Sequence, residues 1–495
     1  FRLSWKQLFT TQMKEMTMSL VRRIGAVGAT VALVLVPVVA EGAPGRPGEP
    51  RYQPGEPGAG DPYFPLAGNG GIDVLHYDLD LDYTPPAPSP APLEGQLEGV
   101  ATIDLVATQD LDRFNLDLRG LTATSVVVNG KSMDFTQKEN ELVITPRPKL
   151  KAGAAATVVV TYGGTTTRPT DIEGALYGWV TTRDGAMVVS EPDGAATWFP
   201  VSDHPTDKAT YSFEITVPEG LVAAANGLPV GEPVTEDGRT TWRWDAPDPM
   251  AAYLATATVG NFDVLTSTGP GGLPIIDFLD KDLTSANRTA SERNLALTPD
   301  MIAFFEELYG PYPFVSYGAI VDDDNVGYAL ETQTRSFFSR SAGESTIAHE
   351  LAHQWMGDHV SPERWADIWL NEGWATYSAW MWTEERGGNT AEQSFTAVMN
   401  RAPSSATWQV KLSDPGALNL FSTAVYDRGA AALHALRVKI GDEAFFELAR
   451  TWVERYGGGT ASTDDFRALA EEVSGQDLDT FFTVWLDTVG KPTSW

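Results

Sequence analysis

The chain has 495 residues, 66 of them acidic against 35 basic, for a net charge of −31, and it contains no cysteine. Such a charge argues against nucleic acid or an anionic membrane as partner, since both repel it, and the missing cysteines exclude disulfides and thiolate metal ligands. The length exceeds one typical domain and suffices to bury a large core.

In chain order, Arg22-Arg23 precede an apolar run from Ile24 to Ala40. The run is broken by Pro37, is shorter than the roughly 20 residues of a membrane span, and ends in a small-residue cleavage site, Val38-Val39-Ala40. Residues 1–40 read as a secretory leader, so a secreted protein with no stable membrane insertion is expected. Residues 41–62 are rich in Pro and Gly and read as a linker holding neither ladder nor helix. From Ile72 the pattern alternates strictly: Tyr77, Leu79, Leu81 and Tyr83 share one face, and His76, Asp78, Asp80 and Asp82 the other. Further strands are predicted over 124–128, before the Asn129-Gly130 turn, and over 156–162 and 211–217. Residues 63–262 thus read as a β-rich, sandwich-like domain, with His76 a solvated strand residue. After the glycines around Pro270 the period changes to that of helices, predicted over 299–309, 366–385, 426–440, 442–456, 463–473 and 477–489. Ser341 and Glu344 have capping-box spacing ahead of another helix, and Asp322-Asp323-Asp324 reads as a solvated loop. The overall expectation is an α+β multidomain chain whose second part, 263–495, is mostly α.

One stretch of that second part carries chemistry. His349 and His353 are four residues apart with Glu350 between them. On a helix this spacing puts both imidazoles on one face, with Cβ atoms about 5–6 Å apart. Two neutral imidazoles and a carboxylate suit zinc with its fourth position open, where a nearby glutamate can take a proton from water. Two third ligands stay open. His359 stands where the pattern H-E-x-x-H-x-x-G-x-x-H has its last histidine, although Met356 replaces the glycine. Glu372, in W-L-N-E-G-W-A, is a lone acid in an apolar, helix-compatible segment, expensive to bury unless paired or bound to metal, and is favoured.

His349-Glu350-Leu351-Ala352-His353-Gln354-Trp355, then Trp369-Leu370-Asn371-Glu372-Gly373, resembles the aminopeptidase N and leukotriene hydrolase family of zinc peptidases, whose pattern is H-E-x-x-H, eighteen residues, then E. Phe199 to Ala209 is similar to that family's F-P-x-x-D-x-P-x-x-K-A segment, and Tyr426-Asp427-Arg428-Gly429-Ala430 to its Y-x-K-G-A segment. Tyr328-Ala329-Leu330-Glu331-Thr332 stands where the family has G-x-M-E-N and keeps only the alanine and the glutamate. The resemblance implies a thermolysin-like zinc peptidase domain after the β-sandwich-like one, in a short two-domain form. It implies one Zn2+ per chain on His349, His353 and Glu372, Glu350 as general base, and Tyr426 as donor to the oxyanion. Glu331, with Glu191 as a second acid, would anchor the free amino terminus of a peptide substrate. Asp358, Asp367 and Asn371 are candidates to orient the ligands. The implied activity is that of a secreted zinc aminopeptidase. The alternatives are an endopeptidase using His359, and a secreted binding module with a vestigial zinc site.

Overall fold

The structure is a computed structural model that describes residues 51–495; the expected leader and the first part of the expected linker lie outside the described residues. Along Ile72–Thr84 the alternating side chains divide as a half-buried strand requires: Tyr77, Leu79, Leu81 and Tyr83 are buried, and the three aspartates are exposed. His76 is on the wet face, its ring nitrogens bonded to Thr210 Oγ1 (2.7 Å) and Ser212 Oγ (3.1 Å). This strand runs antiparallel to Gly95–Ala107 and parallel to Lys208–Pro218 at the centre of a nine-stranded sheet. Asn129 and Gly130 make the expected tight turn, both with positive φ. Two four-stranded sheets complete the β half; one of them contains Ala186–Val189, the strand that delivers Glu191.

Residues 51–62 are not a free linker. Gln53–Pro54 adds a short parallel edge to Leu111–Asp117. The glycines that exclude a helix here permit close approach instead: a Cβ on Gly55 would stand 2.5 Å from the Gly70 carbonyl oxygen, and one on Gly58 2.0 Å from that of Pro65. Asp61 then accepts from the backbone N–H groups of Tyr63, Phe64 and Trp365, tying the segment to the second half.

The second half opens with the strand Phe262–Thr268. That strand begins a five-stranded sheet, followed in spatial order by Pro274–Asp280, Ala319–Asp322, Ser336–Ser339 and Ala329–Leu330. Helices follow: α1 (Ser285–Leu295), α2 (Thr298–Tyr309), α3 (Glu344–His353), α4 (Trp369–Glu385), α5 (Ala391–Met399), α6 (Gly429–Ile440), α7 (Asp442–Tyr456), α8 (Thr463–Ser474) and the short α9 (Asp479–Phe482). The capping box expected at Ser341 does not form. Ala342 N is held by Ser291 Oγ, so the chain is still approaching and α3 starts from Gly343, while Glu344 turns to Trp382 Nε1 and Arg386. Capping boxes do form at α5 (Thr390 with Gln393) and α8 (Ser462 with Asp465). Among the described residues no helix is long and apolar enough to cross a membrane.

Candidate metal centre and active site

α3 carries His349 and His353 toward α4, whose first turn presents Glu372. His349 Nε2 lies 3.0 Å and His353 Nε2 3.4 Å from Glu372 Oε2, and the two nitrogens are 3.2 Å apart. Donors bonded at 2.0–2.1 Å to a tetrahedral zinc sit about 3.3 Å from each other. The triangle therefore has the dimensions of one face of a zinc site. His353 Nδ1 donates to the Met356 carbonyl (3.2 Å), which leaves the Nε2 lone pair aimed at the centre. Gly357, with φ of +140°, makes room for this ring, since a Cβ there would stand 3.1 Å from Nδ1.

Burial alone would raise Glu372, but the imidazoles of His353 and His349 beside it pull its carboxyl down to about 2. Burial lowers His349. His353 resists the same burial because Glu331, Glu372 and Glu350 surround it, and its pKa ends well above the usual imidazole range. The cluster calls for positive charge at its centre, as a donor set built for a cation does.

Glu350 and Glu331 complete the interior: one oxygen of each and a ring nitrogen of His353 lie within 4.8 Å of one another. Burial pushes the Glu350 carboxyl well above the usual range. Glu331 follows the strand Ala329–Leu330 and is fixed by Gln354, to which sequence reasoning gave no role. Gln354 Nε2 donates to Glu331 O (3.1 Å) and Asp358 Oδ2 (2.7 Å), and its Oε1 accepts from Thr334 N (2.7 Å). Its place directly after His353 was the signal present in the sequence, and the structure buries it fully. The altered exopeptidase segment is satisfied: Leu330 is buried, Thr332 Oγ1 donates to the Arg335 carbonyl, and Tyr328 OH donates to Leu176 O in the β half (2.5 Å).

Glu191 reaches the same cleft from the β half. Burial first, then the charge of Glu331, raises its pKa well above normal. Among the described residues, Glu191 Oε1 and Glu331 Oε1 are both buried without a hydrogen-bond partner. Tyr426 lies on a π-helical turn, Ala424–Arg428, ahead of α6, and its ring stacks on that of His349 with centroids 5.8 Å apart and planes 14° apart. Burial and then the surrounding carboxylates, Glu372 first, hold the phenol well above its usual value, so it remains a donor.

The other candidates lie elsewhere. His359 is not in the cluster: its ring stands edge-on to Phe314 and against Gly457, so the alternative that needs it as third ligand has no geometric basis. Asp358 is held by Gln354, and Asp367 caps α8 through Thr463 N (3.1 Å) and Oγ1 (2.7 Å). The Asn371 amide Nδ2 has no hydrogen-bond partner among the described residues. Lys208, from the F-P-x-x-D-x-P-x-x-K-A segment, donates to the carbonyls of Asp358 (2.8 Å) and His359 (3.1 Å) just past α3. The whole arrangement lines a cleft of about 510 Å³ walled by both halves of the chain.

A model described as the peptidase family M1 domain matches residues 301–485, and one described as the peptidase M1 N-terminal domain matches 74–254. The M1 zinc metallopeptidase from Deinococcus radiodurans is 30% identical, with a TM-score of 0.80 over 88% of this chain and 98% of that one. The chain belongs to peptidase family M1. A mutant of the Deinococcus M1 enzyme, solved bound to a Tyr-Ser-Ala substrate, matches equally well, at 29% identity and a TM-score of 0.80, covering 88% of this chain and 99% of that one. Among curated M1 relatives, aminopeptidase N of Streptomyces lividans is 25% identical over 85% of this chain and 50% of its own length. The leucyl aminopeptidase of Saccharolobus solfataricus is 24% identical over 85% and 54%. The chain spans about half the length of these two relatives. Zinc is the metal of the M1 structures it matches, and the donor triangle of His349, His353 and Glu372 fits that ion.

Proposed function

We propose that this M1 peptidase is an exported aminopeptidase that removes the first residue from peptides with a free amino terminus. Export rests on the leader pattern of residues 1–40. The aminopeptidase reading is carried by one observation: two buried carboxylate oxygens, Glu331 Oε1 and Glu191 Oε1, stand in the cleft with no hydrogen-bond partner among the described residues. A buried carboxylate without a cation is costly, and an α-ammonium supplies both the charge and the donors.

His349, His353 and Glu372 hold the metal. When bound, zinc polarises the scissile carbonyl and acidifies water beside it. Glu350 accepts the proton of the attacking water as the new C–O bond forms and returns it to the amine nitrogen as the C–N bond breaks. Tyr426 donates its phenolic hydrogen to the oxyanion that develops between these steps. Glu331 and Glu191 fix the α-ammonium, so the bond presented to Glu350 is always the first one.

The test compares free and N-acetylated forms of one peptide series, with and without chelator. Cleavage confined to the free forms and lost with the metal is expected. Equal cleavage of both forms overturns the exopeptidase assignment in favour of an endopeptidase on the same scaffold.

A further inference from the structure

The wall that the β half contributes to the cleft carries charge for which the hydrolytic steps have no use. Asp171 and Glu173 line the cleft from the segment between strands Ala155–Thr166 and Gly178–Thr181. The segment is built into the wall. Asp171 Oδ1 accepts from Glu173 N and Ala175 N, both at 2.8 Å, and Asp171 N donates to Ala175 O at 2.9 Å. Its far end is fastened across the domain boundary by the Tyr328 hydroxyl on Leu176 O, three residues before Glu331. Tyr328 takes the first position of the exopeptidase segment, where the family pattern has glycine, so a ring and a docked loop stand there instead.

The charge on this wall is unbalanced. Arg168, the basic residue of the same segment, pairs with Asp324 at 2.9 Å. Among the described residues neither Asp171 nor Glu173 has an ion-pair partner. Asp427, another acid lining the cleft, is paired with Arg401 at 2.6 Å. Among the described residues no lysine or arginine lines the cleft. Tyr328 and Glu191 line the same cleft as Asp171 and Glu173. Glu331, only 2% exposed and with Oε1 unpartnered, faces the same space.

The side chain of a substrate's first residue leaves the carbon that bears the α-ammonium. With that ammonium on Glu191 and Glu331, the first side chain is the part of the substrate nearest the Tyr328 wall. A lysine or arginine there can lay its methylene stem along the Tyr328 ring and carry its charge out to Asp171 and Glu173. We propose that Asp171 and Glu173 select peptides whose first residue is arginine or lysine, a selectivity that rests on the aminopeptidase reading above.

The experiment measures kcat/KM for the fluorogenic amides of arginine and leucine with the zinc-loaded wild type, Glu173→Gln, and Asp171→Asn/Glu173→Gln. Asparagine keeps the Oδ1 acceptor, so the loop retains its backbone hydrogen bonds. The wild type should prefer arginine. The arginine-to-leucine ratio should fall at least tenfold in the double variant, through a raised KM for the arginine amide, and by less in Glu173→Gln. High salt should narrow the ratio in the wild type more than in the double variant. A wild-type preference for leucine, or one ratio shared by all three proteins, overturns the proposal while leaving the aminopeptidase reading intact. Cleavage of N-acetylated peptides with neither amide turned over sinks that reading and this proposal together.

Discussion

Gly373 and Gly429 meet backbone to backbone where α4 crosses α6. A Cβ on Gly373 would stand 3.0 Å from the Gly429 carbonyl carbon, and one on Gly429 2.9 Å from Gly373 Cα. Glu372 precedes the first glycine by one residue and Tyr426 the second by three, so this crossing sets how closely the phenol approaches the donor triangle. Alanine is better than glycine inside a helix by about 1 kcal/mol, but overpacking a close contact typically costs about 1–3 kcal/mol. Gly373→Ala should therefore lower both the thermal midpoint and kcat. A midpoint at or above that of the wild type would show that the crossing has slack.

Metal content separates the ligands from their competitor. His353→Ala and Glu372→Ala should each hold well under one equivalent of zinc by atomic absorption, whereas His359→Ala should keep its equivalent, because that ring faces Phe314 and Gly457. Zinc kept in Glu372→Ala and lost from His359→Ala would reverse the assignment.

Glu350→Gln and Tyr426→Phe divide proton transfer from oxyanion stabilisation. The first should retain zinc and its melting temperature but lose turnover by about 10²–10⁴, since an amide cannot take the proton. The second should lose about 10²–10³ in kcat with zinc unchanged. An unaltered rate in Tyr426→Phe would reduce that ring to packing against His349.

Stability should depend on buried acids away from the centre. Burial raises Asp203 to about 8, with Asp193 adding to it, and raises Asp277 to about 7 against the opposing pull of Arg335. A carboxyl raised in the folded state keeps its proton where the unfolded chain has lost it. Its contribution is complete below the unfolded value near 4 and is lost as pH rises through 7 to 8. Asp277→Asn, which preserves the acceptor for Ala319 N, should thus gain stability relative to the wild type between pH 5 and pH 7. Urea midpoints for the two proteins at both pH values test this, and a constant difference would mean that Asp277 is ionised throughout.

What could be read beforehand depended on distance along the chain. The donor set was legible because the i,i+4 spacing is a helix property and because a lone acid among tryptophans has few other uses. Alternation marked the strand Ile72–Thr84 for the same local reason. Tyr426 and Glu191 came only through resemblance, since neither local context distinguishes them from packing or surface residues. Gln354 holds Thr334 twenty positions away, Gly373 meets Gly429, and Lys208 reaches His359 one hundred and fifty-one positions away, none of them within range of a local pattern. The capping box at Ser341 failed because packing of Ala342 on Ser291 decides where α3 begins. Residues 51–62 misled because Pro and Gly forbid a ladder of their own but not adhesion to the edge of another.

The ammonium of Lys208 crosses from the β half to the carbonyls of Asp358 and His359 just past α3, and burial, partly opposed by Asp358, brings it down to about 7. The seam between the halves thus ends on the turn that directly follows the helix of His349 and His353. An ion that binds only the assembled form adds RT ln(1 + [L]/Kd) to its stability, and a share of that increment is felt as resistance to the two halves parting. Chelation should accordingly loosen the joint before it unravels either half, and the seam is where a protease should first find purchase.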